Sequence, residues 1–158
     1  LKIRPQVRFV NARLEHVYGP GDGAAKFVPH VIDKLSANQP IAMTPGDQVR
    51  DFVHVDDVVG AYLAIIDAKE RLPAGFVEIE IGTGMGTTLR SFVEQAKTIC
   101  GSSSTLSFGA LPHREGEIMA SVADTAGLAS IAWSARHTVE SGLHDTIDAT
   151  RRESSNDA

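Results

Sequence analysis

Apolar and polar positions change period along the chain, and each change marks an element. VRFVNARL (7–14) mixes β-branched and aromatic residues in a short run that ends at the turn-rich GPGDG (19–23), which predicts a strand. AAKFVPHVIDKLSAN (24–38) repeats apolar side chains at 27, 28, 31, 32 and 35, the spacing of a helix. Pro29 suits its first turn, where a missing N–H costs nothing. PIAMTPGDQVRDFVHV (40–55) reads as two short strands around a Thr-Pro-Gly-Asp turn, with Asp56 or Asp57 as the N-cap of a helix over 57–69. That helix is apolar over most of its circumference, which predicts deep burial.

FVEIEI (76–81) alternates with period two, whereas TTLRSFVEQAKTIC (87–100) places apolar residues at 89, 92, 93, 96 and 99, so a strand enters a helix through a glycine loop. Short strands near 105–109 and 118–123 follow, then helices near 124–131 and 138–150 capped by Asp124 and Thr138. The polar run TRRESSNDA (150–158) reads as a disordered tail, leaving one unit over 1–149. Strands alternating with helices, without repeats or a linker, indicate an α/β fold.

Composition narrows the partners. At 158 residues and 42% hydrophobic side chains the chain can bury a core, and a net charge of −5 excludes the broad basic field that holds nucleic acid. A bound anion must therefore be held by a few local cations. Cys100 is the only cysteine, which rules out an internal disulfide or a thiolate cluster and suits a small buried hydrophobe. The apolar run VVGAYLAII (58–66) is far short of the roughly 20 residues of a membrane span, and no signal-peptide pattern is present, so a cytoplasmic protein is expected. The opening LKIRPQ has no initiating Met and runs almost at once into a strand, as in a fragment of a longer chain.

Gly82 and Gly84 fill the first two places of a dinucleotide-binding G-x-G-x-x-G, but Thr87 stands at the third and SSTLSF (103–108) lacks the ribose-binding acid. Two readings stay open: a phosphate cradle, or a turn that needs positive φ, with Thr88 or Thr87 capping the next helix.

Arg50 opens an apolar strand, a position that calls for an anionic partner: either Asp51 beside it or a ligand. Arg114 lies in the loop LPHREGEI (111–118), solvated or aimed into a cleft. If both faced one cleft, their planar guanidinium groups would match the oxygens of a diphosphate. The histidines show no metal spacing; His54 with Asp56 and Asp57 comes nearest and is better explained by packing and capping. No nucleophile-elbow motif occurs.

Taken in order, RLEHVYGPGD (13–22), KFVP (26–29), GDQVRDFVHVDDV (46–58), EIGTGMGTTL (80–89), HREGEI (113–118) and ADTAGLASIAWSARHTVESGL (123–143) resemble the C-terminal half of the extended short-chain dehydrogenase/reductase family, the NAD-dependent sugar-nucleotide epimerases and dehydratases. The resemblance covers about residues 7–148, and its TPGDQVRDFVHVDDVV wording is most similar to members acting on deoxysugar nucleotides. It implies the C-terminal, Rossmann-like portion of such an enzyme, short strands alternating with helices, without the N-terminal dinucleotide-binding sheet. The family's G-x-x-G-x-x-G and Tyr-x-x-x-Lys elements are not found here: neither Tyr18 nor Tyr62 has a lysine four positions on. No catalytic or cofactor-binding residue is therefore assigned. NAD or NADP belongs to the intact parent, a homo-oligomer, and none to this chain alone.

By the same resemblance Arg50 and Arg114 match the two arginines that grip the nucleotide diphosphate. Lys26 and Phe27 match a loop-to-helix position touching the nucleoside-diphosphate sugar, Ala42 or Met43 the strand lining the base pocket, and Trp133 a packing position. His16 replaces a common asparagine, and Glu80 replaces the asparagine of an Asn-Ile-Gly-x-Gly turn that joins strand to helix. The implied role is substrate binding without catalysis. Rival readings are a free-standing nucleotide-sugar binding module and a nucleotide-binding fold that uses the loop Gly82–Gly86 directly.

Overall fold

The computed structural model describes residues 7–156; the opening 1–6 and residues 157–158 lie outside it. In chain order the elements are β1 (Arg8–Leu14), β2 (His16–Tyr18), α1 (Phe27–Ser36), β3 (Ile41–Met43), β4 (Val49–His54), α2 (Val55–Asp67), β5 (Gly75–Ile81), β6 (Gly86–Thr88), α3 (Leu89–Cys100), β7 (Leu106–Phe108), β8 (Ala120–Ser121), α4 (Ala126–Ser130) and α5 (Val139–Asn156). They form an α/β fold. Strands β1 and β5 pair in parallel, β3 and β7 do the same, and β4 is flanked by parallel β2 and β8 and antiparallel β6.

Strand β4 is the wall between two cores, and its period of two explains why. Phe52 joins Tyr18, Val31, Ile32, Phe92 and Leu143 under α1, α3 and α5. The next residue, Val53, points the other way and joins Val58, Ile65, Ile79 and Leu128 under α2 and α4. Helix α1 buries Val28, Val31, Ile32 and Leu35 at the predicted spacing, but Phe27 stays at the surface. Helix α3 is capped by the Thr88 hydroxyl, which accepts from Ser91 N–H at 3.1 Å, and ends on Gly101 at φ 64°.

Three expectations need correction. Helix α2 is capped by His54, whose Nδ1 accepts from Asp56 N–H, and not by Asp56 or Asp57. The buried Asp57 carboxylate instead accepts from the amides of Arg136 and His137. Helix α2 is also not buried all round: Val59, Tyr62, Leu63 and Ile66 are exposed. Finally, the polar tail is not disordered from residue 150, because α5 continues to Asn156.

Gly142 lies where α5 crosses β2, and a Cβ there would run directly onto the fully buried Tyr18 hydroxyl. Gly142→Ala gains about 1 kcal/mol of helix propensity but meets overpacking of about 1–3 kcal/mol. A net loss of stability is expected, read as a lower urea midpoint at unchanged slope.

Candidate functional site

Five of the six candidate residues, His16, Phe27, Met43, Arg50 and Arg114, border one cleft of about 450 Å³. Lys26 borders a smaller recess of about 210 Å³ that shares His16 and Phe27 as walls. Strand pairing accounts for part of this: β2 lies beside β4, with His16 opposite Phe52 and their rings edge to face at 5.7 Å. Phe27 reaches the cleft because α1 turns its first residue outward.

Arg50 is buried, yet its partner is not Asp51. Its Nη2 donates to Glu117 Oε1 at 2.9 Å and its Nη1 to the Val49 carbonyl at 2.9 Å. Arg114 is exposed at the cleft and pairs with no carboxylate among the described residues. Lys26 is held by Asp22, Nζ to Oδ1 at 2.6 Å. The cleft is also lined by Met43 on β3 beside Phe108 on β7, and the Arg90 guanidinium covers one face of the Phe108 ring at 3.9 Å. The cleft therefore offers both guanidinium groups and apolar side chains, the combination that suits a base joined to an anion.

Burial and the neighbouring Arg50 charge both push the His16 pKa down, against the opposing charge of Glu15. Burial and then His137 push His54 down, with Asp56, Asp145 and Asp57 opposing. The unfolded chain takes up these protons near the ordinary histidine value of 6.5, before the folded chain does, so stability falls as pH drops below that value. Thermal midpoints are expected to be several degrees lower at acid pH than above neutrality. His54→Asn keeps a capping side chain but cannot titrate, so it should flatten part of that slope.

The glycine loop is held by an internal anion. Asp51, fully buried on the face of β4 opposite Arg50, accepts from Thr83 N–H at 2.9 Å, the Thr83 hydroxyl at 2.5 Å, Gly84 N–H at 2.8 Å and Ala123 N–H at 3.3 Å. Gly84 has φ 75°, and a Cβ on Gly82 would sit 2.5 Å from Asp51 Oδ2. The loop is a nest of amides filled by the protein's own carboxylate. It does not fit the pyrophosphate of NAD, and the reading of Gly82–Gly86 as a phosphate cradle gives way to a structural turn.

Glu80, in place of the family's asparagine, pairs with Arg13 and accepts from Asp124 N–H at 2.7 Å, tying β5 to the approach of α4. His54, Asp56 and His137 bring ligand atoms within 4.8 Å. The two rings lie tilted against each other with centroids 4.2 Å apart, however, and both His137 nitrogens face carboxylates, Asp57 at 3.1 Å and Asp145 at 3.5 Å, which is a poor metal geometry.

A profile of the NAD dependent epimerase/dehydratase family matches residues 3–82, half of the chain. The chain belongs to that family. Among relatives, a CDP-abequose synthase of Salmonella typhimurium is 43% identical over 144 residues, covering 89% of this chain and 48% of the relative. Among solved structures, a UDP-glucose 4-epimerase of Thermotoga maritima with UDP-glucose superposes at TM-score 0.80 with 28% identity, covering 91% of this chain and 46% of that one. MoeE5 in complex with UDP-glucuronic acid and NAD superposes at 0.80 with 29% identity, covering 91% and 47%. The chain thus spans about half the length of these relatives. The described residues contain no helix long and apolar enough to cross a membrane.

Sequence reasoning missed Glu117, the cleft partner of Arg50, and Gln48, which is buried at the head of β4. Glu117 was visible only as an acidic loop residue. For Gln48 the available signal was a long polar side chain two positions before Arg50 on a strand, which places both on one face.

Proposed function

We propose that this chain is the substrate-binding part of an NAD-dependent sugar-nucleotide epimerase/dehydratase, and that its cleft holds the nucleoside-diphosphate end of a nucleotide sugar. The observation that carries this reading is the presence of Arg50 and Arg114 on one cleft that is also lined by the apolar side chains of Met43 and Phe108. In this reading the guanidinium groups meet the diphosphate, the apolar side chains of Met43 and Phe108 receive the base, and His16, Phe27 and Lys26 meet the sugar. The likeness to CDP-abequose synthase favours a cytidine diphosphate and a deoxysugar.

Reaction at the sugar ring, and the NAD it needs, is assigned to the part of the relatives that this chain does not span. Two features support such a division. Strand β1 pairs only with β5 among the described residues, leaving an open edge, and α2 presents the exposed apolar stripe Val59, Leu63 and Ile66. A whole protein of this kind would be a cytoplasmic homo-oligomer, whereas the chain alone would bind nucleotide sugars without turning them over.

Calorimetric titration with CDP-, UDP- and dTDP-sugars tests the binding reading. Saturable binding is expected, tightest for a cytidine nucleotide, and its absence for all of them would sink the proposal. The reading frame ahead of Leu1 separates an enzyme from a free-standing binding module, since only the enzyme requires Tyr-x-x-x-Lys there.

A further inference from the structure

Arg114 stands on an exposed loop, and a loop arginine must be ordered before it can grip an anion. The surrounding contacts show how. On one side Leu111 N–H donates to the Met43 carbonyl at 3.0 Å; on the other, Glu117 is bonded to Arg50. Immediately beside Arg114, the His113 ring is held at both nitrogens. Its Nδ1 lies 3.2 Å from Gln48 Nε2, and its Nε2 lies 3.1 Å from Asp47 Oδ1.

We propose that His113 is a positioning residue, a latch that ties the Arg114 loop to the Thr44–Gln48 turn and so sets the spacing between the two arginines. This rests on the reading that Arg114 grips the diphosphate.

Gln48 is a firm anchor, being 2% exposed with its amide exchanging hydrogen bonds with the Thr44 hydroxyl at 3.1 and 3.3 Å. With Gln48 Nε2 donating, His113 Nδ1 accepts and Nε2–H donates to Asp47, so the ring is used in one orientation and one tautomer. Gln48 also stands two residues from Arg50 on the same chain segment. One rigid point therefore registers Arg50 through the backbone and Arg114 through His113. The second side-chain tie, Glu117 to Arg50, is the one a bound diphosphate competes with, since both anions seek the same guanidinium. Once that tie is shared, His113 is the side chain that still holds the loop.

The test is calorimetry with CDP and CDP-glucose on the full 158-residue chain and on His113→Ala, His113→Asn, Arg114→Ala and the His113→Ala/Arg114→Ala double variant. His113→Ala should weaken binding about three- to tenfold, the range expected for losing the preordering of one arginine. His113→Asn, whose amide oxygen can still accept from Gln48, should retain most of the affinity. The double variant should bind no more weakly than Arg114→Ala alone, because His113 acts through Arg114. Hydrogen exchange in the ligand-free chain should accelerate at 109–117 in His113→Ala and stay slow in His113→Asn.

Unchanged binding and exchange in His113→Ala, or additive losses in the double variant, would overturn the latch while leaving the clamp intact. Failure of the unaltered chain to bind, or unchanged binding by Arg114→Ala, would instead remove the clamp and the latch with it.

Discussion

Asp51→Ala is expected to lower the unfolding free energy by about 4 kcal/mol, because four donors lose a charged acceptor, each such bond being worth about 1.5–3 kcal/mol where buried, as at Ala123, and less at the half-buried Thr83 and exposed Gly84. Against a total of about 5–15 kcal/mol for a domain, that is a large share, and at about 2–4 °C per kcal/mol the thermal midpoint should fall by about 8–16 °C. The effect reaches across the fold, since the donors lie on the glycine loop and on the segment after β8, 32 to 72 residues from Asp51. Asp51→Asn should cost nearly as much. Its amide nitrogen would face an N–H donor whichever way it turned, because each Asp51 oxygen accepts from at least one backbone amide. Circular dichroism melts of both variants check this, and a midpoint within two degrees or so of the parent's would refute the filled-nest account.

Arg50→Ala is expected to weaken nucleotide-sugar binding by roughly 10- to 100-fold, the worth of one or two hydrogen bonds to a charged group. Two effects add. The guanidinium that would meet the phosphates is gone, and Glu117, which it neutralised at 2.9 Å, is left as an unpaired carboxylate beside the anion. Glu117 is half-buried, so breaking the pair costs less than the about 3–5 kcal/mol of a fully buried one, but the loss still calls for a folded companion variant. Arg50→Lys keeps the charge but loses the planar fork, and should fold while binding at an intermediate level. Adding Glu117→Gln to Arg50→Ala removes the repulsion and should recover part of both losses. Titration with CDP-sugars beside thermal melts separates the two effects, and parental affinity in a folded Arg50→Ala chain would exclude the clamp.

Periodicity was enough to find most elements. The run 27, 28, 31, 32, 35 and the run 89, 92, 93, 96, 99 became α1 and α3, and the alternation at 76–81 became β5, because these patterns bury one face whatever the neighbours are. It failed on α2, whose apolar residues are too many for one face. A sequence shows that Val59, Leu63 and Ile66 are apolar, but not whether anything covers them. The three-residue β2 and β6 were missed as well, being too short to show a period.

The candidate site was legible through its ordered motifs: Arg50, Arg114, His16, Phe27 and Met43 do share one cleft. Their partners were not. Asp51 was the obvious mate for Arg50, yet adjacent residues on a strand point to opposite faces, so β4 sends one into the cleft and the other into the glycine loop. Asp57 looked like a cap and was claimed by amides 79 and 80 residues away. Local spacing set where strands and helices run and which residue types line them, because hydrogen bonding and apolar periodicity act over a few residues. Which carboxylate met which cation or amide was decided by the packing of β4 between two cores, because those contacts join segments far apart in the chain.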